Sequence, residues 1–119
     1  MHADKKIDLA TVSSDQIDLA SEVLTLLSDP TRIRIVLTLQ ENGELSVNAL
    51  AEAVGKTPSG VSQHLARMRM ARMVTTRQQG TSVLYRLVDE HALTLIVEAL
   101  NQAEHAVAHG QLPPHHRQG

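Results

Sequence analysis

The sequence predicts a mainly helical fold carrying one small β-hairpin. Three observations support that expectation. Tyr85 is the only aromatic residue, with no Phe or Trp, so the core must be assembled from Leu, Ile, Val, Ala and Met, a palette suited to packed helices. Five segments begin with a helix-capping side chain and continue with apolar residues at helical spacing. Only the stretch between Met73 and Leu87 is β-rich on both sides of a glycine.

At 119 residues the chain is one domain, and a domain of this size is marginally stable as a lone monomer. We divide it into a mobile arm at 1–12, a folded domain at 13–109 and a histidine-containing tail at 110–119. The absence of cysteine removes disulfides, thiolate metal sites and redox thiols. No apolar run approaches the length that spans a bilayer, and the N-terminus lacks the apolar centre of a signal peptide. A soluble cytoplasmic protein with no membrane partner is expected.

In the first helix, about Ser14 to Leu27, Ser13 and Gln16 have the spacing of a capping box. Ile17, Ala20, Val23, Leu24 and Leu27 then recur at helical intervals. Asp29-Pro30 opens the second helix with a cap and a first-position proline. Ile33, Val36 and Leu37 supply its buried stripe, Arg32 and Arg34 are solvated charges beside it, and Asn42-Gly43 ends it. Ser46 caps a short third helix in which Val47, Leu50, Ala51 and Val54 face inward. Gly55 stands where a left-handed residue is wanted. Thr57-Pro58 then opens a fourth helix, reaching about Met70, in which Val61, Leu65 and Met68 share one face.

The third and fourth helices have the spacing of a helix-turn-helix. The hairpin is read as Met73–Arg77, a tip of Gln78, Gln79, Gly80 and Thr81, and a return strand Ser82–Leu87, which makes the motif winged. Charge distribution gives this region a partner. Between Glu52 and Asp89 lie six basic residues, Lys56, Arg67, Arg69, Arg72, Arg77 and Arg86, and no carboxylate; at net charge −2 overall, the other segments therefore carry −8. A local basic face on such a motif suits double-stranded operator DNA. On the fourth helix Ser59, Ser62, Gln63, Ala66 and Arg67 face away from the apolar stripe. The amide can pair bidentately with adenine and the guanidinium with guanine or phosphate, while small residues admit the backbone closely. The candidate DNA-facing set is Thr57, Ser59, Gly60, Ser62, Gln63, His64 and Arg67, with Arg77 and Gln79 from the wing. Within that set, His64 suits packing or a backbone contact.

Asp89 caps the last helix, Glu90 lies in its first turn, and Gly110 terminates it. Leu93, Ile96, Val97, Leu100, Ala103 and Val107 form a long apolar seam, most economically buried against a second copy of the chain in a homodimer. Five of the seven histidines fall in this last quarter: His91, His105, His109, His115 and His116. His91 and His105 lie about 21 Å apart along one helix, too far to share a metal within a chain. An antiparallel pair of helices would instead join the Asp89/His91 end of one to the Glu104/His105 end of the other, with His109, His115 and His116 nearby. Imidazole and carboxylate without sulfur suit nickel, cobalt or zinc.

Leu27 to Val36, Val61-Ser62-Gln63-His64-Leu65, and Gly80-Thr81 with Tyr85-Arg86-Leu87 together resemble the ArsR/SmtB family of winged-helix repressors. The resemblance spans nearly the whole chain. It implies a homodimer through the first and last helices and an inducer, often a metal ion, that lowers operator affinity. Many relatives carry thiols on the third helix where Ser46 and Asn48 stand here, which argues against arsenite, cadmium or lead sensing at that position. Last-helix sensors of the family pair Asp-x-His with His-x-x-His, whereas this chain has Gln102 in place of the first imidazole of the second pair, which disfavours tetrahedral zinc. Glu104-His105, the His115-His116 tail and His91 are more similar to the nickel- and cobalt-responsive KmtR-type branch. The resulting expectation is a repressor induced by nickel or cobalt, with zinc next. Alternatives are a repressor of this family with no metal inducer, or a histidine-rich protein that buffers or delivers metal. A hydrolase is disfavoured by the lack of a nucleophile-elbow pattern.

Overall fold

The computed structural model describes residues 6–110, so His2, His115 and His116 lie outside the described residues. Helices α1 (Ser14–Leu26), α2 (Pro30–Asn42), α3 (Val47–Val54) and α4 (Pro58–Met70) precede strands β1 (Val74–Gln79) and β2 (Ser82–Leu87), and α5 (His91–Ala108) closes the chain. Before α1, the described part of the arm holds one 3-10 turn, Leu9–Thr11, capped by Asp8.

Local chemistry sets these boundaries. Ser13 and Gln16 complete both bonds of the capping box, with Gln16 N–H donating to Ser13 Oγ at 3.1 Å and Ser13 N–H to Gln16 Oε1 at 2.8 Å. Asp29, Ser46 and Thr57 each accept the backbone N–H three residues ahead, at 3.0, 3.2 and 3.1 Å. Each such cap contributes about 1 kcal/mol. Gly55 turns the chain between α3 and α4 with φ +70°, a conformation in which a Cβ is strained.

The core lies where α2, α3 and α4 converge over the base of the wing. Leu50, Ala51 and Val54 of α3 meet Val61, Leu65 and Met68 of α4, and Met73, Val74, Ala92 and Ile96 close the far side. On α2 the expected stripe is shifted: Ile35, Val36 and Leu39 are buried, while Ile33 and Leu37 are only half-buried. Apolar residues occupy positions 33, 35, 36, 37 and 39, so periodicity alone permits two faces and packing against α3 and α5 selects one.

Two other expectations are corrected. The hairpin strands run on through Gln79, which pairs with Ser82, so the tip is only Gly80-Thr81; Gly80 at φ +62° satisfies the positive φ that two-residue hairpin turns demand. Helix α5 starts at His91 with Glu90 at the cap position, and Asp89 serves from one residue earlier by accepting His91 N–H at 2.9 Å. The terminal helices leave much of their apolar surface in water, as a seam awaiting a second copy requires. No residue of α1 is fully buried, and Leu24 is 58% exposed. On α5, Ala92 and Ile96 enter the core but Leu100 and Val107 remain 47% and 55% exposed.

Candidate DNA interface and metal-ligating helix

Helix α4 is held by its buried side and presents the other. With Val61, Leu65 and Met68 fully buried, Ser59, Ser62, Gln63, Ala66 and Arg67 are all exposed along one flank. Thr57 and Gly60 have a structural role in this arrangement. The Thr57 hydroxyl caps α4 through Gly60 N–H, and a Cβ at Gly60 would stand 3.2 Å from that hydroxyl.

The wing is tied to the domain at two points. Leu45 and Tyr85 exchange backbone hydrogen bonds of 3.1 and 2.8 Å, so the segment before α3 lies against β2. Arg77, read as a solvent-facing DNA contact, is instead paired with Glu44: its Nε donates to both carboxylate oxygens at 2.9 and 2.8 Å, and Nη2 donates to Gln79 Oε1 at 2.7 Å. The Arg77 hydrogen bond holds the Glu44 carboxyl below its ordinary value, and the pairing raises the guanidinium in turn. In three dimensions the basic face therefore includes one carboxylate, drawn from outside the acid-free segment. This orients Arg77 along the wing but leaves it less charge for a phosphate.

Arg32 and His64 also depart from the sequence reading. Arg32 is not a solvated charge: its Nε donates to His64 Nδ1 at 3.0 Å and its Nη1 to the Leu26 carbonyl at 3.0 Å. His64 is half-buried and turned toward α2, so packing rather than DNA contact describes its Nδ1 edge. Asp29 sits beside this pair. Burial pushes its carboxyl up, but the backbone N–H groups of Arg32 and Thr31 and the Arg32 charge outweigh it and hold the group below its ordinary value. A carboxylate depressed in the folded state contributes stability that is present above its unfolded pKa and lost as pH falls through the folded value. The melting temperature should therefore fall as pH drops below about 4, and Asp29→Asn, which keeps the cap acceptor without the charge, should flatten part of that fall. Thermal melts between pH 3 and 7 measure it; an unchanged slope would remove Asp29 from the account.

The proposed metal ligands lie at the two ends of α5. At the N-terminal end the Asp89 Oδ2 and His91 Nε2 are 4.0 Å apart. At the other end the His105 and His109 rings stand 4.3 Å apart with a 47° tilt, one turn from each other, and Glu104 is exposed beside them. Among the described residues, no three His, Asp or Glu side chains of one chain converge on a point that could hold a metal. The donor chemistry fits a borderline divalent metal, but only as two half-sites separated along the helix.

Residues 29–76 match the model of the bacterial regulatory protein, arsR family. The HTH-type transcriptional regulator KmtR of Mycobacterium tuberculosis is 46% identical over 98% of this chain and 86% of its own length. The chain belongs to the ArsR family. A second relative from the same organism, the HTH-type transcriptional regulator NmtR, is 35% identical over 81% of this chain and 79% of that protein. The fold agrees. The crystal structure of the AntR antimony-specific transcriptional repressor superposes with a TM-score of 0.75 at 30% identity, covering 87% of this chain and 92% of that one. As an ArsR-family member with a winged helix-turn-helix, the protein is a DNA-binding transcriptional regulator and not an enzyme. No helix among the described residues is long and apolar enough to cross a membrane.

Proposed function

We propose that the protein is a dimeric repressor that binds an inverted-repeat operator and releases it when nickel or cobalt occupies symmetric sites between the last helices. The observation that carries this reading is the layout of α5: two half-sets of imidazole and carboxylate ligands at opposite ends, joined by an apolar stripe that one chain leaves in water. Antiparallel pairing would cover that stripe and bring each Asp89/His91 end to the partner's Glu104/His105 end. His91 and His105 are the primary ligands, Glu104, His115 and His116 complete the shell, and Asp89 and His109 stand in reserve. Zinc ranks next, because Gln102 stands where a tetrahedral zinc site of this family would have an imidazole.

DNA reading falls to Ser59, Ser62, Gln63 and Arg67 on α4, with Arg77 and Gln79 along the wing. Metal occupancy favours a dimer geometry in which the two α4 helices no longer fit successive major-groove faces, so metal and DNA oppose each other by about 1–3 kcal/mol. Protons compete with metal for the imidazole nitrogens, so acidification weakens the response.

Fluorescence anisotropy of the protein on its own promoter DNA, titrated with nickel, cobalt and zinc, tests the proposal. Release at lower nickel or cobalt than zinc is expected, a shift of about 5- to 150-fold in operator affinity. The His91→Ala, His105→Ala variant should bind the operator as tightly as wild type without metal and should not respond to it. Release of that variant at the wild-type metal concentration would refute the last-helix site. Tight metal binding with no effect on DNA would favour the metal-buffering alternative.

A further inference from the structure

Among the described residues, Arg32 is the only side chain hydrogen-bonded to two helices other than its own. Its backbone N–H is held by Asp29, which fixes the start of α2. From that anchor the guanidinium reaches the carbonyl of Leu26, the last residue of α1, an acceptor that the helix itself leaves unpaired. In the other direction it reaches His64 at the centre of α4, on the flank between the buried stripe and the exposed reading face. Apolar packing of α1 on the core runs through the half-buried Val23 and Leu26. An open cleft of about 580 Å³, lined by Ser21, Thr25, Leu26, Arg32, Arg67 and Met70, separates α1 from α4, and α1 has no fully buried residue.

We propose that Arg32 is a positioning residue for operator reading, tethering the recognition helix α4 to the dimerisation helix α1 through His64. The inference rests on the reading of α1 as part of the dimer and α4 as the DNA-facing helix. A dimeric reader must present its two recognition helices about 34 Å apart and correctly inclined, so the angle between α1 and α4 is a term in specificity. The planar guanidinium suits this task because its donors diverge at fixed angles toward two acceptors, which a lysine ammonium on a flexible stem does not reproduce. His64 accepts at Nδ1, leaving Nε2 as the ring's donor. A residue so placed shifts sequence-specific affinity while leaving the phosphate attraction of the basic face intact.

The test compares two duplexes of equal length in the full-length protein: one selected from a random-sequence pool by the wild type, the other lacking the selected repeat. Arg32→Lys and His64→Leu should each weaken binding to the selected duplex about tenfold, the scale of one lost charge-assisted hydrogen bond, with non-specific binding and its salt dependence within about twofold of wild type. His64→Asn, whose Oδ1 can accept where Nδ1 does, should recover most of the loss. The Arg32→Lys, His64→Leu double variant should be no worse than either single, because both break one link. Additive losses would mean that His64 touches DNA directly and would overturn the tether. A parallel fall of both affinities together with melting temperature would reduce Arg32 to a folding role, which also overturns it. Failure of the wild type to select any sequence would instead refute the operator-reading proposal beneath it.

Discussion

Replacing Gln63 and Arg67 together with alanine should reduce operator binding to the level of non-specific DNA while leaving a folded dimer. Both side chains lie on the exposed flank of α4, and neither supports the core, which rests on Val61, Leu65 and Met68. A bidentate base contact is worth about 1–3 kcal/mol, so each single variant should lose about 5- to 150-fold in specific affinity. The two residues are one helical turn apart, and shared partners should make the double loss smaller than the sum. Gel shifts with the selected and the non-specific duplex at matched salt measure the ratio directly. Operator binding at the wild-type level by the double variant would move the reading face elsewhere.

A second large effect is expected from Leu24→Asp combined with Leu100→Asp. These positions lie on the two helices whose apolar faces remain in water, so a carboxylate there is harmless to a monomer and costly inside a dimer interface. Sedimentation should show monomers, with helix content retained. Because two linked half-site contacts become one, affinity for an inverted repeat should fall by about two to four orders of magnitude. A wild-type dimer persisting in this variant would place the interface on another surface. Ile96→Asp is the wrong probe for this question: Ile96 is 2% exposed within a single chain, and a charge there should unfold the domain itself.

What could be read from sequence divides along physical lines. Helix boundaries were legible wherever a cap acts over three residues, as at Ser13, Asp29, Ser46 and Thr57, because donor and acceptor are written next to each other. The inward faces of α3 and α4 were legible because their large buried residues, Leu50 and Val54 on one and Val61, Leu65 and Met68 on the other, recur at helical spacing. The face of α2 was not, since it carries apolar residues on two sides and its neighbours decide which is buried. The start of α5 shifted because Asp89 satisfies an N–H from outside the cap position, a geometry with the same residue spacing signal as a true cap. The two contacts that most alter the functional picture were invisible. Arg32 meets His64 across 32 residues and Arg77 meets Glu44 across 33, and no local pattern records either partner. An arginine in an acid-free segment reads as free until the fold brings a carboxylate from elsewhere.

For the proposed metal site, the 14-residue separation of His91 and His105 on one continuous helix excludes a site within a single chain. Each site must then be shared between subunits, and a mixed dimer isolates that sharing. When one protomer carries His91→Ala and its partner carries His105→Ala, one intersubunit site retains both imidazoles and the other retains neither, while each variant homodimer has no intact site. Differentially tagged protomers allow the mixed species to be purified and its nickel content measured by equilibrium dialysis. A shared site gives one tightly bound metal per mixed dimer, two per wild-type dimer and none in either variant homodimer; no recovery of binding in the mixed dimer would rule out a site shared between subunits.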